Sequence, residues 1–144
     1  MKKTLFLSFA LIGLFNICYG QTTRDLLRAN TWRSDNQMYY LRFDNQYMYQ
    51  SADYKDSGID LDNQSYKGQY YLSNNKSFDQ NGVTFQSSLV GTATTGKYIV
   101  LYGLVLEIVK LTSTELLLQP LNTTGGVLIK YVPYSGALPS DFPQ

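Results

Sequence analysis

Hydrophobic positions form three successive patterns along the chain. An apolar run from Leu5 to Phe15 follows Lys2 and Lys3 and leads into Cys18-Tyr19-Gly20. A short stripe of Leu26, Leu27 and Ala29 comes next. From Trp32 onward apolar and polar residues alternate every second position, which is the period of a strand with one buried face.

The first pattern reads as a secretory signal peptide spanning residues 1–20, with a basic start, an apolar centre and small residues before Gln21. Its apolar run is about half the roughly 20 residues that a membrane-spanning helix needs, so cleavage is expected and not retention as an anchor. Cys18 could accept a lipid if Phe15-Asn16-Ile17-Cys18 served as a lipobox, but Ile17 is larger than the small residue such a site prefers. No other stretch is apolar enough to cross a bilayer. The expected product is periplasmic or extracellular, with a barrel domain over 21–132 and an irregular tail over 133–144.

The second pattern predicts a short helix. Thr22 precedes Asp25 by three residues, an acidic variant of the capping-box spacing, and the stripe ends near Asn30.

The third pattern predicts about eight strands. Met38 to Ser51 reads as a hairpin with Asp44-Asn45 as a two-residue turn, pairing Leu41 with Met48 and Tyr40 with Tyr49. That places Tyr39, Leu41, Phe43 and Met48 on one face and Tyr40, Arg42, Tyr47 and Tyr49 on the other. The polar, acidic segment 52–65 reads as the longest loop. Further strands are expected over Tyr66 to Leu72, Val83 to Val90, Lys97 to Tyr102, Leu104 to Leu111, Glu115 to Leu121 and Val127 to Val132. Turns fall at Ser73-Asn74-Asn75, 91–96, Thr112-Ser113-Thr114 and Gly125-Gly126. Gly103 marks a bulge or a bend, and Val83, Phe85, Ser87 and Leu89 share a face. Consecutive antiparallel strands with short connections close into a barrel or a sandwich.

Three segments carry a family resemblance: Asp25-Leu26-Leu27-Arg28-Ala29-Asn30-Thr31-Trp32, Leu41-Arg42-Phe43-Asp44-Asn45, and Ile108-Val109-Lys110-Leu111-Thr112-Ser113-Thr114-Glu115-Leu116-Leu117-Leu118. Together they resemble the small lipocalin-like proteins of bacterial envelopes. In that family a short helix leads into a tryptophan, a Phe-containing strand ends in an Asp-rich turn, and an Ile-x-x-Leu-Thr strand end precedes a leucine strand. The resemblance implies an all-β, up-and-down barrel of about eight strands with a short N-terminal helix, and a small apolar or amphipathic ligand. Trp32, the sole tryptophan, lies between that helix and the first strand, where it would plug one end of the barrel.

Composition narrows the chemistry. The chain has no histidine and a single cysteine, Cys18, which lies in the leader. Ser-His-Asp and Cys-His catalysis are therefore excluded, together with imidazole or thiolate metal sites and any disulfide. Loss of Lys2 and Lys3 moves the net charge from +1 to −1. Such a surface suits neither nucleic acid nor an anionic membrane. Asp53, Asp56, Asp60 and Asp62 could offer oxygen ligands to calcium, but from Asp60 the EF-hand glycine and glutamate positions hold Ser65 and Tyr71. They read as a solvated acidic loop, and no cofactor is expected. Glu107 stands in an apolar strand. It is an acid or ligand anchor if it faces inward, and a surface residue near Lys110 if it faces outward.

These features support a non-enzymatic binding protein whose cavity is lined by Tyr39, Leu41, Met48, Tyr70, Leu72, Phe85 and Leu89. An interaction or inhibitor module using the outer face of Tyr40, Tyr47 and Tyr49 is the second reading. An enzyme restricted to Asp, Glu, Tyr, Lys and Arg comes third. Neither the ligand nor a protein partner can be named from the residues.

Overall fold

The structure is a computed structural model that describes residues 20–37, 39–52, 66–76, 78–79, 82–138 and 142. Residues 1–19, in the expected leader, and the expected acidic loop with Asp53, Asp56, Asp60 and Asp62 lie outside the described residues.

Helix α1 spans Thr23–Arg28 and begins as the capping-box spacing predicts. The Thr22 hydroxyl accepts from the Asp25 amide while the Asp25 carboxylate accepts from the Thr22 amide, so two N-terminal donors are satisfied reciprocally.

Among the described residues ten strands follow: β1 (Trp32–Ser34), β2 (Tyr39–Phe43), β3 (Tyr47–Ala52), β4 (Tyr66–Ser73), β5 (Phe78–Asp79), β6 (Gly82–Val83), β7 (Tyr98–Leu101), β8 (Leu104–Leu111), β9 (Leu116–Pro120) and β10 (Ile129–Pro133). Eight of them close a barrel in the order β1-β10-β9-β8-β7-β4-β3-β2, every pairing antiparallel. Each barrel strand lies beside its neighbours in the chain, and β1 against β10 completes the ring. Among the described residues the fold is the small up-and-down, lipocalin-like barrel with one short α-helix.

Three expectations about the strands need correction. The β2–β3 hairpin turns at Asn45-Gln46, one residue later than expected, because the Asp44 side chain caps the turn. Its Oδ1 accepts from the amides of Gln46 at 2.7 Å and Tyr47 at 2.6 Å. The pairs are therefore Phe43 with Met48 and Arg42 with Tyr49. A shift of two residues preserves which face each side chain occupies, so Leu41, Phe43 and Met48 still point inward.

Gly103 is neither a bulge nor a bend. With φ at 79° it completes the Tyr102-Gly103 turn that joins β7 to β8. The bulge lies at Val109, where the register passes from Ile108–Leu118 to Lys110–Leu117. Val109 is the extra residue, so the alternation resumes with Lys110 outside and Leu111 inside.

The segment Val83 to Val90 is not a strand of the barrel. Only β6 pairs, with β5, in a separate two-stranded sheet, and Ser87–Leu89 forms a 3-10 turn. Phe85 and Val90 instead pack on an outer apolar patch of Tyr71, Tyr98, Val100 and Val105. That cover explains why all four residues of β7 are buried, since β7 packs on both faces.

The tail continues this outer layer on the other side of the barrel. Residues 134–138 form neither helix nor strand, yet Tyr134 meets the Tyr40 ring edge-on at 5.3 Å and Phe142 lies 6.4 Å from the same ring. The Arg33 guanidinium sits over both Tyr40 and Tyr134, at 5.3 and 5.0 Å. Tyr40 is therefore buried, and the expected outer tyrosine stripe is reduced to Tyr47 and Tyr49.

Candidate functional site: a cavity at the end opposite the helix

The two ends of the barrel are built differently. At one end α1 lies across the opening, where Asn30 donates to the Ser113 carbonyl and Arg24 to the Gly91 carbonyl. Leu27 and Trp32 fill the space beneath it with Leu116, all fully buried. Trp32 is thus the expected plug. Phe43 and Tyr70 pack edge-to-face at 5.6 Å at the same end, and the Tyr70 hydroxyl donates to the Asp44 carbonyl at 2.8 Å. Burial, reinforced by the Asp44 charge, pushes the Tyr70 phenol up to about 12.

The opposite end holds a cavity of about 210 Å³. Tyr39 and Leu41 of β2 line it with Met48 and Gln50 of β3, and across the barrel Leu104 and Leu106 of β8 face Leu118 and Pro120 of β9. Ile129 and Tyr131 of β10 close the ring. None of these ten side chains is charged. Alternation dictates the set, because the register places Leu41 opposite Gln50, Ile99 opposite Leu106 and Ile129 opposite Leu118, all on the inner face.

Three of the seven residues expected at the cavity are there: Tyr39, Leu41 and Met48. Tyr70 and Leu72 also point inward but belong to the packed core nearer the helix. Phe85 lies on the outer patch, its ring 5.4 Å from that of Tyr71, and Leu89 is exposed on the 3-10 turn. The lining from β8, β9 and β10 was visible as alternating Leu104-Leu106, Leu116-Leu118 and Ile129-Tyr131. Only the closure of β10 on β1 brings it round to face β2 and β3.

Polar groups gather on one wall. Tyr39, Gln50 and Tyr131 come from β2, β3 and β10, all within the run β10-β1-β2-β3 of the barrel order, whereas β8 and β9 contribute only Leu104, Leu106, Leu118 and Pro120. Burial, with the Tyr39 phenol nearby as a smaller cause, raises the Tyr131 phenol above its ordinary value. Both effects keep its proton in place at neutral pH, so it stands as a donor. Ser34 lies between the two tyrosines on β1. Its hydroxyl is engaged, donating to Asn36 Oδ1 at 2.5 Å and accepting from the Tyr39 amide at 2.9 Å.

Glu107 is on the outer surface. It pairs laterally with Tyr98 and Gln119, and its carboxylate lies 3.7 Å from Lys97 Nζ, so the partner is Lys97 and not Lys110. Lys110 instead meets Glu115 at 2.7 Å. Among the described residues no group of three or more Asp, Glu, Cys or His side chains could hold a metal ion, and no helix is long and apolar enough to cross a membrane.

No family model, curated protein or solved structure matches the chain. The site is therefore read on its geometry. An apolar space with three uncharged polar groups on one side can hold a small molecule and orient it. The titratable groups among its described lining residues are the phenols of Tyr39 and Tyr131.

Proposed function

We propose that the chain is an exported, non-enzymatic, lipocalin-like protein that binds one small apolar or amphipathic molecule inside its barrel. The observation that carries this reading is the cavity at the barrel end opposite α1, whose described lining residues are all uncharged. A barrel of eight strands has room for either a filled core or one small ligand, and here the core is filled only on the helix side. Apolar cavities of roughly 150 Å³ stay dry and take up benzene, so about 210 Å³ suits a single substituted ring or a short branched chain. Export rests on the leader pattern of Lys2, Lys3 and the Leu5 to Phe15 run.

The experiment is an inside-outside comparison by titration calorimetry with toluene. Leu118 lines the cavity and its neighbour Gln119 points outward. Leu118→Glu is expected to abolish toluene binding while Gln119→Glu leaves it intact. Equal effects from the two substitutions contradict an internal site.

A further inference from the structure

We infer that the cavity selects an uncharged ligand with one hydrogen-bond acceptor, held against the Tyr131 hydroxyl, and rejects the carboxylate of the same size and shape. This rests on the ligand-binding reading above and adds the chemical class of the ligand. Three observations lead to it.

The first is the charge of the lining. Among the described residues no lysine, arginine or other cation lines the cavity wall, and the strand cations Arg33, Arg42 and Lys130 alternate to the outer face. An anion entering the cavity loses its hydration and meets no counter-charge, which is the arrangement that most disfavours a buried ion.

The second is the division of the wall. Tyr131, Tyr39 and Gln50 lie on the β10-β1-β2-β3 side, and Leu104, Leu106 and Leu118 lie opposite. A molecule with one polar edge and one apolar edge matches both sides at once, whereas a pure hydrocarbon leaves the polar side unmatched.

The third is the state of the donor. Tyr131 is 5% exposed, and its hydroxyl has no hydrogen-bond partner among the described residues, although Ser34, its lateral neighbour on β1, is fully engaged. A donor that lines the cavity without a partner among the described residues is free to bond any acceptor that enters, and a carbonyl or ether oxygen does so without adding charge. The Gln50 amide is likewise without a partner and supplies a second donor on the same wall.

The test uses three probes of similar size on the whole mature protein: toluene, acetophenone and, above its pKa, benzoate. Acetophenone and benzoate differ only in a methyl group against a charged oxygen. Acetophenone is expected to bind more tightly than benzoate by on the order of a hundredfold. Tyr131→Phe is expected to weaken acetophenone by roughly two- to tenfold relative to toluene, with far-UV circular dichroism showing that the variant is folded. Benzoate binding as tightly as acetophenone overturns the selection for neutral ligands but leaves the cavity reading standing. Acetophenone binding unaltered by Tyr131→Phe overturns the assignment of the donor. If neither toluene nor acetophenone binds, the cavity reading itself fails.

Discussion

The indole of Trp32 donates its N–H to the backbone carbonyl of Leu27 at 2.9 Å, joining the first barrel strand to the last turn of α1. Both residues are fully buried, so the bond is made in a low-dielectric setting where neither group has water as a substitute. This contact fixes which end of the barrel is closed, and with it which end remains open.

Two substitutions separate the packing of the indole from its hydrogen bond. Trp32→Ala removes both and is expected to cost about 3–5 kcal/mol. Trp32→Phe keeps most of the volume but leaves the Leu27 carbonyl unsatisfied, at about 1–3 kcal/mol. Urea unfolding of the three proteins checks the order. A Trp32→Phe protein as weakened as Trp32→Ala indicates that the bond, and not the packing, dominates.

Asp44 gives the β2–β3 hairpin a pH dependence. Burial alone raises its carboxyl, but the Gln46 and Tyr47 amides, the Tyr49 hydroxyl at 2.9 Å and the Lys67 charge together outweigh it and hold the group below its ordinary range. A carboxyl depressed in the folded state contributes stability that is fully present above its unfolded pKa of about 4 and is lost as pH falls through the lower folded value. Wild type and Asp44→Asn should therefore differ most near neutral pH and converge as pH falls through the lowered folded value. A gap in unfolding midpoint that is constant with pH contradicts the role given to this carboxylate.

The tail is expected to be part of the folded unit, because Phe142 is buried and its ring faces Tyr40. Phe142→Ala should destabilise the protein by about 1.5–3 kcal/mol, the worth of burying a phenylalanine side chain. It should also raise the exposure of Tyr40 to solvent quenchers. An unchanged melting temperature would show that the tail does not hold this position in solution.

The local signals were legible and the long-range ones were not. Thr22 and Asp25 make their capping box within one turn of chain, and the inward set Leu41, Phe43 and Met48 needs only the two-residue period, which survives the two-residue slip in pairing. The slip itself came from the Asp44 side chain, whose bonds to the Gln46 and Tyr47 amides move the turn tip without changing the alternation. Phe85 and Leu89 were misplaced because alternation cannot distinguish a barrel strand from a segment lying on the outside. A clue was available in Tyr98-Ile99-Val100-Leu101, four apolar residues in succession, since a strand apolar on both faces requires a cover on its outer side. The burial of Tyr40 depends on Tyr134 and Phe142, about a hundred residues away, and no pattern near Tyr40 records it. The polar wall of the cavity is of the same kind, because Tyr39 and Tyr131 become neighbours only when β10 closes on β1.

The most direct measurement is the ¹³C-methyl NMR signal of Met48, whose side chain is buried and lines the cavity. Titration with toluene should shift that signal and saturate at one molecule per chain, and Leu118→Trp, which fills the space from the opposite wall, should abolish the shift. A Met48 methyl that does not respond to toluene, or responds equally in the filled variant, contradicts a ligand site inside this barrel.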